Sequence, residues 1–124
     1  MTNEEYINNA VRTEAKDYGQ AGERAAWGIR GLHAAIGCAT ESGELLDAFK
    51  KSVFYGRPLD RTNVIEEVGD LMWYIALMAD ELEFTFEECM DANVRKLRSR
   101  YPEKFEQDLS LNRDLVAERS VLEG

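Results

Sequence analysis

The sequence is short of the residues on which several kinds of chemistry depend. Among 124 residues there are two cysteines, two prolines and one histidine. Cys38 and Cys89 stand far apart with no histidines at zinc spacing. That excludes the common zinc sites and leaves two free thiols in a reduced, intracellular setting as the expectation. The lone His33 argues against a di-iron site of the ferritin type, which needs two Glu-x-x-His pairs. No apolar run approaches the roughly 20 residues of a membrane-spanning helix. The polar start, Met1 to Tyr6, is unlike a secretory signal, so the expectation is a cytoplasmic protein, or one soluble in whatever cell expresses it. Gly28 and Gly31 lack a strand-to-helix context, and no P-loop is present, so a glycine-rich phosphate cradle is not expected. Positive charge is also in deficit: 15 Lys and Arg against 24 Asp and Glu give a net charge of -9. That balance argues against polymeric nucleic acid or an anionic membrane as partner.

What is present is helical periodicity. Apolar residues Tyr6, Ala10 and Val11 mark a first helix over about 3–18, ended by Gly19 and Gly22. Leu32, Ala39, Leu46, Phe49 and Val53 give a second helix, over about 32–53, its buried face. Gly56 and Pro58 then punctuate the chain. A third helix follows, capped by Asp60 or Thr62, with a wide apolar face of Val64, Val68, Leu71, Met72, Ile75, Met78, Ala79 and Leu82. Such a face needs cover on more than one side, which predicts a central place. The fourth spans about 86–100, with Thr85 as N-cap and Glu88 three residues on, and Pro102 beyond it. Residues 106–124 read as a charged tail, helical and oligomer-packing or frayed, carrying Leu109, Leu111, Leu115, Val116 and Leu122. With no alternating stretch or repeat, the fold class is all-α: a four-helix bundle plus tail. A chain this short buries a modest share of its surface alone, so a dimer or tetramer is expected.

Carboxylates come in pairs. Glu41 and Glu44 lie three residues apart, about 60° apart on one face of the second helix, together with His33, Gly37, Ala48 and Lys51. Glu67 and Asp70 repeat the spacing on the third, beside Asn63 and Tyr74. Two such pairs facing across a bundle repel unless cations sit between them, and four carboxylates offer the hard oxygen ligands that magnesium or manganese takes. Gly37 and Ala48 leave room beside the acids. Acids on helices are commonly a solvated face, and this chain is rich in them, so spacing alone leaves both readings open. The closeness of each pair to an apolar border favours a site. A bound divalent cation would also reconcile an acidic protein with an anionic substrate.

The segments Glu41-Ser42-Gly43-Glu44-Leu45-Leu46 and Glu66-Glu67-Val68-Gly69-Asp70-Leu71 resemble the MazG family of all-α nucleotide pyrophosphohydrolases. Asn93-Val94-Arg95-Lys96-Leu97-Arg98-Ser99-Arg100-Tyr101-Pro102 is similar to that family's closing stretch. The resemblance covers about 32–105 and implies a MazG-like domain over residues 1–105. It implies hydrolysis of a (deoxy)nucleoside triphosphate between the α- and β-phosphates, to monophosphate and pyrophosphate, in a homo-oligomer whose chains help form each other's sites. By that resemblance Glu41, Glu44, Glu67 and Asp70 hold Mg2+ or Mn2+ and activate water, while Asn93, Lys96 and Arg100, with Lys51, meet the phosphates.

One position departs from the pattern. Where many relatives carry a second glutamate, this chain has Thr40, so water activation is left to metal or to Glu41. Glu66 is turned about 100° from Glu67 and reads as a surface acid or as one that supports the ligands from behind. His33 is open to contact with a base, a phosphate or a partner chain, or to a structural role, and Trp27, Trp73 and Tyr74 to stacking on a nucleobase or to core packing. Two rivals remain: a non-catalytic helical assembly module, and a dUTP or dCTP specialist with the same chemistry.

Overall fold

A computed structural model describes residues 1–124, apart from the side chains of residues 26 and 27. Trp27, a stacking candidate, therefore lies outside the described side chains. The described residues form six helices and no strand: α1 (Asn3–Arg12), α2 (Tyr18–Tyr55), α3 (Arg61–Glu81), α4 (Phe86–Arg100), α5 (Gln107–Leu111) and α6 (Leu115–Glu123). The all-helical expectation holds, with six helices in place of four and a tail. None of the described helices is long and apolar enough to cross a membrane. The chain divides into two compact units, Met1–Ile75 and Ala76–Gly124, and the division falls inside α3.

In the first unit, α1 starts with a capping box. Thr2 Oγ1 accepts from the Glu5 N–H at 3.1 Å, and Glu5 accepts from the Thr2 N–H. The first break comes earlier than glycine content suggests. α1 stops at Arg12, and Asp17 caps α2, accepting from the Gln20 N–H, so that Gly19 and Gly22 lie inside α2. A good side-chain cap outweighs the roughly 1 kcal/mol that an exposed helical glycine costs. At its far end α2 closes on Gly56, whose φ of 69° is left-handed, while the Arg57 N–H reaches the Lys51 carbonyl at 3.2 Å. Asp60 then caps α3, accepting from the N–H groups of Thr62 and Asn63 at 3.0 and 3.2 Å.

The face that α2 turns inward is not its apolar stripe. Ala34 is fully buried, and Gly31, Cys38, Glu41, Leu45 and Ala48 are half-buried along the same line, whereas Leu46 and Val53 stand 72% and 70% exposed. Leu32, Ala39 and Phe49 are exposed as well. The expected buried face of the second helix is thus open within this chain. The inward side is the one with small residues and acids, because small side chains let two helices approach closely. Gly37 shows this directly: a methyl there would fall 2.2 Å from the ring of Tyr74 on α3. The space at Gly37 is filled by that ring, not left beside the acids. On α3, Ala79 is buried and Leu71 half-buried, but Val68, Met72 and Ile75 remain exposed. The third helix is therefore not enclosed on all sides by its own chain.

The second unit holds the end of α3 with α4, α5 and α6. The Thr85–Glu88 capping box opens α4, with both bonds present at 3.1 and 2.6 Å. The tail folds back onto its own chain, and its anchor is ionic. Glu118 on α6, 4% exposed, accepts two bonds of 2.7 Å from the guanidinium of Arg100 on α4, and two more from Arg113. All the carboxylate's acceptor positions are thereby satisfied, which a buried charge requires. Leu111, Leu115 and Val116 stay exposed.

Candidate metal centre

Helices α2 and α3 meet in one antiparallel register. Gly37 abuts Tyr74; Glu41 meets Glu67 and Asp70; Ala48 and Lys51 face Asn63 and Asp60. The helical repeat brings each group round to the same seam one or two turns further on. At its centre, one carboxylate oxygen from each of Glu41, Glu67 and Asp70 lies within 4.8 Å of the other two. Glu41 and Glu67 are half-buried and Asp70 is exposed. Glu44 is exposed and outside this trio, although its charge is felt at Glu41.

The electrostatics are those of anions held together. The Glu41 carboxyl is held above its ordinary range, first by loss of hydration, then by a hydrogen bond with Glu67 and the charges of Asp70, Glu67 and Glu44. Such a group takes up either a proton or a cation. Asn63 steadies the cluster by donating from Nδ2 to Glu67 at 2.8 Å. An octahedral magnesium ion with oxygens at about 2.0–2.1 Å spaces its ligands roughly 3–4 Å apart. The trio needs only small side-chain movements to meet that spacing. Three oxygen donors and no sulfur or nitrogen suit a hard cation of the magnesium or manganese type.

Around the trio, Thr40 donates its hydroxyl hydrogen to the Gly37 carbonyl at 3.0 Å and offers nothing in place of a second glutamate. Glu66 is exposed. Tyr74 stands edge-on to both His33 and Trp73, with centroids 5.7 and 5.1 Å apart. Lys51 pairs with Asp47 at 2.6 Å on the surface. Asn93, Lys96 and Arg100 belong to the second unit, where Arg100 is committed to Glu118 and its pKa is raised by that bond. Sequence reasoning missed Glu118 and Arg113. No signal marks Glu118 among so many acids, and only its burial distinguishes it.

Comparison with known proteins adds the decisive observation: a model of the MazG nucleotide pyrophosphohydrolase domain matches residues 34–105. The chain belongs to the MazG family. The matched span contains all four paired acids and the α4 segment through Arg100, and ends before α5 and α6. A protein of Mycobacterium phage L5, called Gene 37 protein, is 32% identical over 80 residues, covering 58% of this chain and 68% of that one. No solved structure matches the chain.

Proposed function

We propose that this MazG chain is a divalent-metal-dependent nucleoside triphosphate pyrophosphohydrolase, yielding a (deoxy)nucleoside monophosphate and pyrophosphate. The observation that carries the reading is the convergence of Glu41, Glu67 and Asp70, from two helices, inside the matched domain. These three would hold Mg2+ or Mn2+, with Glu44 as a further ligand once substrate and cation draw it in. When bound, the ion screens phosphate charge and acidifies the attacking water. Glu41 is a carboxylate that can take a proton, because loss of hydration, and then its carboxylate neighbours, hold its pKa up. Asn63 keeps Glu67 oriented. Lys51, on the same seam, meets phosphate oxygens. The parts given to Asn93, Lys96 and Arg100 rest on their motif alone.

Association with a second copy belongs to the same proposal. The apolar stripe of α2 (Leu46, Phe49, Val53 and Phe54) and the open positions of α3 leave large apolar side chains exposed, as a face awaiting a partner does. Light scattering or sedimentation should show a dimer or tetramer, and a monomer at all concentrations would contradict it.

A panel of nucleoside triphosphates incubated with Mg2+ tests the chemistry. The expected products are monophosphate and pyrophosphate in equal amounts. Release of orthophosphate and a nucleoside diphosphate would point to a different bond and overturn the reading.

A further inference from the structure

We propose that the cavity at the α2–α3 turn is the subsite for the terminal phosphates of the nucleotide, with Arg57 as its principal anchor. This rests on the pyrophosphohydrolase reading and adds to it a direction for the substrate along the seam.

The cavity has a volume of about 360 Å³ and is lined by Ala48, Lys51, Arg57, Pro58, Asp60 and Asn63. That size falls in the lower part of the range for small-ligand sites, about 300–1,000 Å³. Two of its lining residues are cationic, in a chain of net charge -9. Among the described residues the guanidinium of Arg57 has no hydrogen bond or ion pair. Lys51 is held only by an exposed pair with Asp47, an interaction worth about 0–1 kcal/mol and readily exchanged. The one acid in the wall, Asp60, is already occupied in capping α3 through Thr62 and Asn63. A guanidinium with no partner among the described residues and an ammonium in one exposed, exchangeable pair, beside a helix N-terminus, are donors that phosphate oxygens fit.

Asn63 connects this cavity to the carboxylates. It forms part of the wall and also donates to Glu67 of the acidic trio. The seam therefore changes character along its length, from the rings of His33 and Tyr74, through the carboxylates, to the basic cavity. A nucleoside triphosphate has the matching order: a base, the α-phosphate where the bond breaks, and the β- and γ-phosphates that leave together. With the α-phosphate at the trio, the leaving pyrophosphate lies toward Lys51 and Arg57. Position 57 is set by the left-handed Gly56 before it, which returns the chain onto α2.

Calorimetric titration of magnesium pyrophosphate, and separately of a nucleoside monophosphate, into the wild-type chain and into Arg57→Gln tests the proposal. Mn2+ alone is titrated as a control for an intact carboxylate site. Arg57→Gln should weaken pyrophosphate at least tenfold and leave monophosphate and Mn2+ affinities within about twofold of wild type. Arg57→Lys should recover part of the loss. Unchanged pyrophosphate affinity in Arg57→Gln would overturn the subsite, as would a loss confined to the monophosphate, which would put the nucleoside end there. A wild-type chain that cleaves no triphosphate to pyrophosphate would instead refute the function itself, so the two failures are distinguishable.

Discussion

Replacing Gly37 with alanine probes the α2–α3 seam one helical turn from the carboxylates. The added methyl carbon would lie 2.2 Å from Cδ1 and Cε1 of Tyr74 and 2.5 Å from Cγ. Carbon atoms pack best at about 3.5–4.0 Å, so the overlap is about 1.3 Å or more. Tyr74 cannot swing away cheaply, because His33 and Trp73 both stand against its ring. Overpacking of this kind costs about 1–3 kcal/mol. For a domain of this size, at roughly 4 °C per kcal/mol, the melting temperature should fall by about 4–12 °C. Gly43→Ala on the same helix is the control. A methyl there meets nothing within 4 Å, so it should raise stability, by up to about 1 kcal/mol. Thermal melts followed by circular dichroism read both variants. A double-mutant cycle with Tyr74→Ala adds the mechanism: the penalty of Gly37→Ala should vanish once the ring is gone. If Gly37→Ala melts like Gly43→Ala, or if its penalty survives removal of Tyr74, the seam does not have this register.

Other consequences concern the charges. Asp70→Asn should reduce turnover by more than the roughly 10–100-fold that loss of a supporting neighbour costs a metal site, with helicity unchanged by circular dichroism. Glu44→Gln should also abolish turnover, yet its affinity for Mn2+ without substrate should stay closer to wild type, because Glu44 lies outside the trio. The metal-free protein should lose the contribution of Glu41 as pH rises through that group's raised pKa, since the folded state favours its protonated form. Added Mn2+ should reverse the slope, and melts with chelator and with Mn2+ across the acid range read the difference. Glu118 has the opposite sign. Arg100 and Arg113 hold its carboxyl far below the ordinary 4.5, so its contribution is present above that value and lost as pH falls below it. Glu118→Gln should flatten the acid limb of the pH–stability curve and speed amide exchange in α6; an unchanged acid limb would argue against the clamp.

Much of the local structure could be read from the chain because local chemistry decides it. Thr85 with Glu88 and Asp60 ahead of α3 are caps whose bonds involve residues two or three positions apart, and both form as expected. The acid pairs declare their shared face by spacing alone, and three of the four residues converge. Periodicity also found the apolar stripe of α2, but it identifies a hydrophobic face without saying what covers it. Leu46 and Val53 face outward, and the inward line runs through Ala34, Gly37 and Glu41. The small residues of that line were the available clue, since a close helix contact needs them. Gly19 and Gly22 misled because an exposed glycine near a helix start weakens the helix without ending it. Glu118 and Arg57 were not legible. Their importance lies in burial and in a guanidinium without a partner among the described residues, which only the folded chain displays.

Equilibrium binding of Mn2+ at neutral pH, followed by electron paramagnetic resonance of the free ion, addresses the carboxylate trio without reference to any substrate. Wild type should take up the ion, while Glu41→Gln, Glu67→Gln and Asp70→Asn should each lose most of that uptake with secondary structure intact. Equal uptake by all four proteins would contradict a shared cation between α2 and α3, as would no uptake by wild type.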